Sequence, residues 1–342
     1  MIFYIITILI SLFNIGISIK LNINKNENYI KQKISSLKFR MLNNINNTNY
    51  SSIDLSLSKH EVGLYSIDIY IGEPKQKFSL VIDSGSSILW VYDKKCEVCK
   101  SKNKFSSSDS RTFISKQEAM DLNYITGKIK GDICQDNMNF KEKLHMPLFY
   151  FLLIYESDLD FEIDGIIGLS KGAIYTRKEY SFLNQLSEKK IIKENYLLYD
   201  LFNKLFYIGE IPSYLMNVKN ISCYDDNIYS NFWKCDMNSI KIDNVPISMN
   251  SKIIFDSGTN GIVFPFRYLD IFKNIISSNK ILTKYECSFE KMENDNIYKL
   301  VCNKNIDNKY FNSLNNFIEI FLYKNIGNKN NNNSFGFNLL DL

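Results

Sequence analysis

Phe78-Ser79-Leu80-Val81-Ile82-Asp83-Ser84-Gly85-Ser86 and Ile253-Ile254-Phe255-Asp256-Ser257-Gly258-Thr259 carry one pattern twice: an apolar run that ends in Asp-Ser-Gly and a hydroxyl residue. A single Asp-Ser-Gly is ordinary turn chemistry, because Asp and Ser bond to nearby backbone and Gly accepts φ values closed to other residues. Two copies, at positions 83 and 256 and each delivered by a short apolar strand, predict two similar lobes that present one carboxylate each. Two facing carboxylates form an acid/base pair that needs neither a metal nor a nucleophilic side chain.

The chain of 342 residues is long enough for two lobes and a large buried core. It is 14% aromatic, with 24 Phe and 22 Tyr, and is rich in Ile, which favours β structure. The abundant Asn is a compositional bias. The net charge of +4 is unevenly placed. Lys20, Lys25, Lys31, Lys33, Lys38, Arg40 and Lys59 face only Glu27 and Asp54 within residues 20–60. The remainder is slightly acidic and has no basic stripe that would suit nucleic acid.

Residues Ile2 to Ile19 are almost wholly apolar or small. That length suits a signal peptide, with a signal anchor as the alternative, so a membrane is an expected partner only if this leader is retained. Residues 20–60 read either as a solvated linker or as a removable propeptide. They include a weak helical pattern from Tyr29 to Leu42 and two N-glycosylation sequons, Asn46-Asn47-Thr48 and Asn49-Tyr50-Ser51. The seven Cys are 96, 99, 134, 223, 235, 287 and 302. A secretory route favours pairing them, and joining neighbours gives Cys96–Cys99, Cys223–Cys235 and Cys287–Cys302, with Cys134 left over. Cys96-x-x-Cys99 alternatively reads as half a zinc site. With no second such pair and only two His, no metal and no cofactor is expected.

From Leu64 the pattern turns to strands. Tyr65 to Ile71 alternates with period two and stops at Gly72-Glu73-Pro74, and Lys77 to Ile82 leads into Asp83. Asn123-Tyr124-Ile125-Thr126-Gly127-Lys128-Ile129 reads as a hairpin. Asp164-Gly165-Ile166-Ile167-Gly168 is a short apolar run bounded by glycines. Ser181 is placed to cap a helix through about Lys190 with Phe182, Leu183 and Leu186 inward. A second helix follows Pro265, with Tyr268, Leu269, Phe272, Ile275 and Ile276 as its stripe. Asn328 to Asn333 reads as a solvated loop.

These segments, in this order from about Glu61 to Cys302, resemble the pepsin-like (family A1) aspartic proteases, with a plasmepsin flavour. The resemblance implies a mainly β, bilobal acid-protease fold. Residues 61–203 would form the first lobe, with a catalytic Asp and a flap, and 204–342 the second. It implies Asp83 and Asp256 as the dyad, supported by Gly85, Ser86, Gly258 and Thr259. Tyr124, Thr126 and Gly127 would belong to the flap, with Trp90 bonded to Tyr124. Val81, Ile163 and Ile166 would line subsites, Gly258 to Val263 would border the primed side, where Asn260 departs from common usage, and Lys128 departs from it in the flap. The partner implied is a protein or peptide substrate, acted on by a monomer in the secretory pathway. Lys38 or Arg40 would neutralise the dyad in a zymogen.

Two rival readings come from the residues themselves. Gly168-Leu169-Ser170-Lys171-Gly172 matches a nucleophile elbow, but His60 and His145 both precede it, so Ser170 reads as a turn residue. The second rival is a catalytically inactive binding protein on the same fold. Nothing like Ile166-Ile167-Gly168 follows Asp256, and Phe335-Gly336-Phe337 matches poorly. The second lobe is therefore expected to lack its usual terminal strands, as a truncated gene product would. The intact pair of Asp motifs favours a protease over a binder.

Overall fold

The computed structural model describes residues 8–9, 16–19, 52–56, 58–59, 64–124, 126–140, 144–193, 195–200, 204–209, 231–242, 245–259, 262–291, 298–302, 318–323 and 332–337. The 29–42 pattern, both sequons, Lys38, Arg40, Cys223 and Asn260 lie outside them.

In the first lobe, β1 (Tyr65–Ile71) turns into β2 (Gln76–Asp83), with Ile67 opposite Leu80 and Ile69 opposite Phe78. β3 (Leu89–Tyr92), the long hairpin β4 (Ile114–Tyr124) and β5 (Gly127–Phe140), β6 (Leu144–Ser157) and β7 (Gly165–Gly168) complete it. The order is Ser58–Lys59, β1, β2, β7, β3, β6, β5, β4, and β1 also pairs with β5. That extra pairing curls the sheet back on itself, which removes much of its exposed edge.

β2 and β3 are buried on both faces, and their alternation sorts side chains into two layers. Leu80, Ile82, Leu89 and Val91 join Phe78, Phe105, Phe140, Phe149 and Phe182 on one side. Val81, Trp90 and Tyr92 join Ile88, Ile129, Ile133, Leu152 and Ile166 on the other. α1 (Phe182–Glu188) lays Phe182 against Phe149 and Phe140, with ring centroids 5.2 Å and 5.9 Å away. The side-chain cap expected at Ser181 is not made, and its buried Oγ has no hydrogen bond. The Ser87 carbonyl instead accepts from Phe182 N at 2.8 Å, so the helix start is met by backbone next to the Asp83 loop.

β8 (Leu197–Asp200) and β9 (Leu205–Gly209) form a hairpin that pairs with Ser52–Ser56 in a separate three-stranded sheet. This hairpin crosses the lobe boundary drawn at 203/204 from sequence, and the third strand lies within the segment read as a propeptide. Leu55, Phe206 and Ile208 pack into the first lobe's core.

The second lobe centres on β10 (Lys234–Ile242), β11 (Val245–Phe255) and β12 (Ile262–Pro265). Its sheet runs Cys287–Lys291, Tyr298–Cys302, Gly16–Ile19, β12, Ile8–Leu9, β11, β10, Ile318–Tyr323, Asn332–Phe337. Asn332 and Asn333 thus open an edge strand rather than extending a loop, and Phe335-Gly336-Phe337 lies far from the Asp256 loop. α2 (Leu269–Ser278) buries Leu269, Phe272, Ile275 and Ile276, while Tyr268 sits in the preceding 3₁₀ turn. No helix among the described residues is long and apolar enough to cross a membrane.

β7 deserves its glycines because it threads between β2 and β3, with Ile166 opposite both Val81 and Trp90 and Gly168 opposite Asp83. In the second sheet the strand Ile8–Leu9 lies between β11 and β12, but runs in the opposite sense. A Cβ at Gly168 would stand 2.5 Å from Ile88 N and 2.6 Å from Ser87 C, both rigid backbone. Gly168→Ala is therefore expected to cost at least about 2 kcal/mol by overpacking. Urea unfolding would read it as a lower midpoint at unchanged slope.

Candidate active site

Strand β2 ends at Asp83 and β11 ends just before Asp256, so both carboxylates leave buried strands at tight turns. Both residues are nearly buried, at 5% and 8% exposure. The Asp256 carboxylate lies close enough to Asp83 to act on its charge. Each has the same local cradle. Gly85 N donates to Asp83 Oδ1 at 2.9 Å and Gly258 N to Asp256 Oδ1 at 2.8 Å. Ser86 Oγ donates to Asp83 Oδ2, and Thr259 Oγ1 donates to Asp256 Oδ2 at 2.8 Å.

The two loops also cross. A Cβ on Gly85 would lie 2.6 Å from Asp256 Oδ2, and one on Gly258 would strike Asp83 Oδ1. Each glycine therefore makes room for the opposite carboxylate, which is why no larger residue fits either place. Ser84 and Ser257 lock the crossing. Ser84 N donates to Ser257 Oγ at 3.0 Å and Ser257 N to Ser84 Oγ at 2.9 Å. Ser84 Oγ donates to Phe255 O, and Ser257 Oγ to Ile82 O, both at 2.9 Å. Four bonds of about 1 kcal/mol each hold the two loops in one register.

Burial, then the Asp256 carboxylate, hold the Asp83 carboxyl well above the ordinary carboxylate range; the Ser86 and Gly85 bonds pull the other way. Two neighbouring carboxylates cannot both ionise cheaply, which adds to burial in favouring the protonated form of Asp83.

Over this pair comes the β4–β5 hairpin. Tyr124 pairs with Gly127, and Thr126 is exposed at the turn. Trp90, fully buried, donates from Nε1 to Tyr124 OH at 2.9 Å. The Tyr124 phenol is pushed up by burial and then by the Asp83 carboxylate, and it reaches Ser86. A Cβ on Gly127, at φ +151°, would strike Asp158 Oδ1. Asp158 also holds the hairpin: Lys128 N donates to its carboxylate, and Asp158 N donates to Lys128 O at 3.1 Å. Val81, Ile163 and Ile166 are buried in the layer beneath, with Tyr124, Leu159 and Trp90.

The other sequence candidates separate cleanly. Cys96–Cys99 is a disulfide, which ends the half-zinc-site reading, and Cys134 is free and buried. Cys235 and Cys287 are disulfide-bonded, and Cys287 stands opposite Cys302 across two strands. Ser170 Oγ donates to Gly172 O at 2.6 Å, as a turn residue does. Sequence reasoning gave no role to Asp158, to Trp233, or to Tyr199. Trp233 Nε1 donates to Leu169 O at 2.7 Å, and Tyr199 OH donates to Ser257 Oγ at 2.9 Å. No local pattern marks them: each is one aromatic or acidic residue in a strand or loop, made important by what folds against it.

Because folding raises the Asp83 value, its proton-linked stability is fully present below the unfolded value and is lost as pH rises through the folded value. Wild type is thus expected to lose Tm relative to Asp83→Asn as pH climbs from acid toward neutral. Thermal unfolding at a series of pH values checks this, and parallel curves would contradict it.

A family model described as eukaryotic aspartyl protease matches residues 64–318. Vacuolar protease A of Aspergillus fumigatus is 26% identical over 263 residues, covering 69% of this chain and 64% of that protein. Chymosin of Callithrix jacchus is 26% identical, covering 58% and 54%. Plasmepsin I of Plasmodium falciparum is 26% identical, covering 72% and 56%. The chain spans between about half and two thirds of the length of these relatives.

Proposed function

The chain belongs to the eukaryotic aspartyl protease family, and from that premise we propose that it is an aspartic endopeptidase whose dyad is Asp83 and Asp256. The observation that carries this is the crossing of the two loops, which brings two nearly buried carboxyls together under a hairpin.

With one shared proton, the ionised carboxylate removes a proton from a water held between the pair. The water oxygen attacks the peptide carbonyl carbon while the protonated carboxyl gives its proton to the carbonyl oxygen. The resulting gem-diol collapses: the C–N bond breaks, the leaving nitrogen is protonated, and the dyad returns to one proton. The two glycine N–H groups bond Oδ1 and the Ser86 and Thr259 hydroxyls bond Oδ2 of each carboxylate, which fixes the plane of both groups around the water. Tyr124, Thr126 and Gly127 close over the substrate and exclude bulk water. Val81, Ile163 and Ile166 shape the apolar floor beneath them.

We read the protein as a secretory-route zymogen that works as a monomer. The disulfides suit an oxidising compartment, and the apolar leader with the basic 20–60 segment suits export and latency, the strands Ile8–Leu9, Gly16–Ile19 and Ser52–Ser56 then being those of the unprocessed precursor. The relative named as a vacuolar protease fits an acidic destination, where the dyad would keep its proton.

At acid pH the protein is expected to cleave a generic peptide library, with pepstatin blocking the cleavage. Asp83→Asn and Asp256→Asn should each lower kcat/KM at least roughly a thousandfold. Activity should fall as pH rises through the raised Asp83 value. A folded protein that binds pepstatin or peptides without cleaving them would favour the inactive binding protein instead.

A further inference from the structure

The crossed loops are nearly two-fold symmetric, but their locking hydroxyls are not equally held. Ser84 Oγ accepts from Ser257 N and donates to Phe255 O. Ser257 Oγ accepts from Ser84 N, donates to Ile82 O, and accepts a further bond from Tyr199 OH at 2.9 Å. Serine has no branched Cβ, so its hydroxyl chooses among three staggered positions unless something outside fixes it. For Ser257 the bonds with Ser84 N and Ile82 O do that, and the phenol of Tyr199 adds a third.

Tyr199 is itself firmly held. It lies in β8, opposite Phe206, and the two rings sit 4.7 Å apart. Phe206 is fully buried in the first lobe's core. The side chain therefore runs from a sheet anchored on one lobe to the loop that carries the other lobe's Asp.

Resting on the reading of Asp83 and Asp256 as the catalytic pair, we propose that Tyr199 is a positioning residue: by donating to Ser257 Oγ, its phenol fixes the cross-lobe serine pair and with it the spacing of the two carboxyls. Loss of this bond leaves the Ser257 hydroxyl held by Ile82 O and Ser84 N alone, and the crossing loosens. Two carboxyls that drift apart repel less, so the pair's titration shifts. The titratable groups acting on the pair are Tyr124 from β4 and Tyr199 from β8. Burial pushes both phenols above their ordinary value, so neither ionises at acid or neutral pH.

The test uses the full chain as wild type, Tyr199→Phe, Asp83→Asn and the double variant. Tyr199→Phe removes one oxygen and keeps the ring contact with Phe206. It should lower kcat roughly tenfold by misplacing the reacting groups, with KM within about twofold. The limbs of its pH profile should move by at least about half a pH unit. The same displacement should appear in the pH dependence of Tm and vanish in the Asp83→Asn background. A uniform drop in Tm with unmoved limbs and unmoved titration marks a merely structural tyrosine and overturns the proposal. If wild type cleaves nothing, the protease reading falls, and the Tm comparison still decides the role of Tyr199. If Tyr199→Phe does not fold, the comparison is made between Ser257→Thr and Ser257→Thr/Tyr199→Phe. The branched Thr side chain holds its own hydroxyl, so the proposal then requires the pair to differ little in titration, and a large difference refutes it.

Discussion

Everything in this molecule depends on two turns that pass through one another's space. The Asp256 carboxylate takes the space that a side chain on Gly85 would need, and the Asp83 carboxylate the space that one on Gly258 would need. A side chain on either would push the lobes apart. The serine pair then converts close approach into fixed register, because each hydroxyl takes the other loop's N–H and gives its proton to the backbone of the strand entering that loop. The lobes need not share a large apolar interface to be aligned at this point.

The first lobe is built to keep its half of the crossing rigid. β7 threads between β2 and β3 and places Gly168 beside Asp83. Leu169 N donates to Asp83 O at 2.7 Å, and Ser170 N to Ser86 O at 2.8 Å. Both faces of β2 and β3 are packed, so the Asp83 loop springs from strands with no freedom to tilt. From there Trp233 and Asn231, on the approach to β10, bond back to Leu169 O, Gly172 N and Ala173 O. Phe255 N donates to Trp233 O at 2.8 Å, which joins this tie to the residue before Asp256.

The sequence makes the paired carboxyls and their cradles readable because these features are local. Asp83 to Ser86 and Asp256 to Thr259 carry both carboxyls, both glycines and both outer hydroxyls in four consecutive residues, and period-two alternation marks the strands that deliver them. The Tyr124 hairpin and the stripe of α2 were equally legible, since a turn and a helical face are short-range patterns. The rest was written at long range. Ser181 looks like a cap, but its Oγ makes no hydrogen bond, and the first helical N–H, that of Phe182, goes to Ser87 O. Asp158 looks like one more loop carboxylate until the hairpin folds onto it. Tyr199 is an ordinary strand aromatic in Leu197-Leu198-Tyr199, and its partner lies 58 positions away. The extra strand pairings of Ile8–Leu9 beside β11 have no local signal at all, because pairing partners are set by what slot remains open.

The near symmetry of the crossing poses a chemical problem that the surroundings resolve. On the reading of the pair as a protease dyad, attack by water needs one carboxyl as base and one as acid, yet the two cradles are almost the same. What differs is what covers each. Asp83 lies with Ser86 beneath the Tyr124 phenol, itself fixed by Trp90. Asp256 follows a strand tied through Trp233, and the serine after it is fixed from below by Tyr199. One half is conditioned from the hairpin side and the other from the interlobe sheet. Two copies of one motif become two different groups because the chain packs a different neighbour against each.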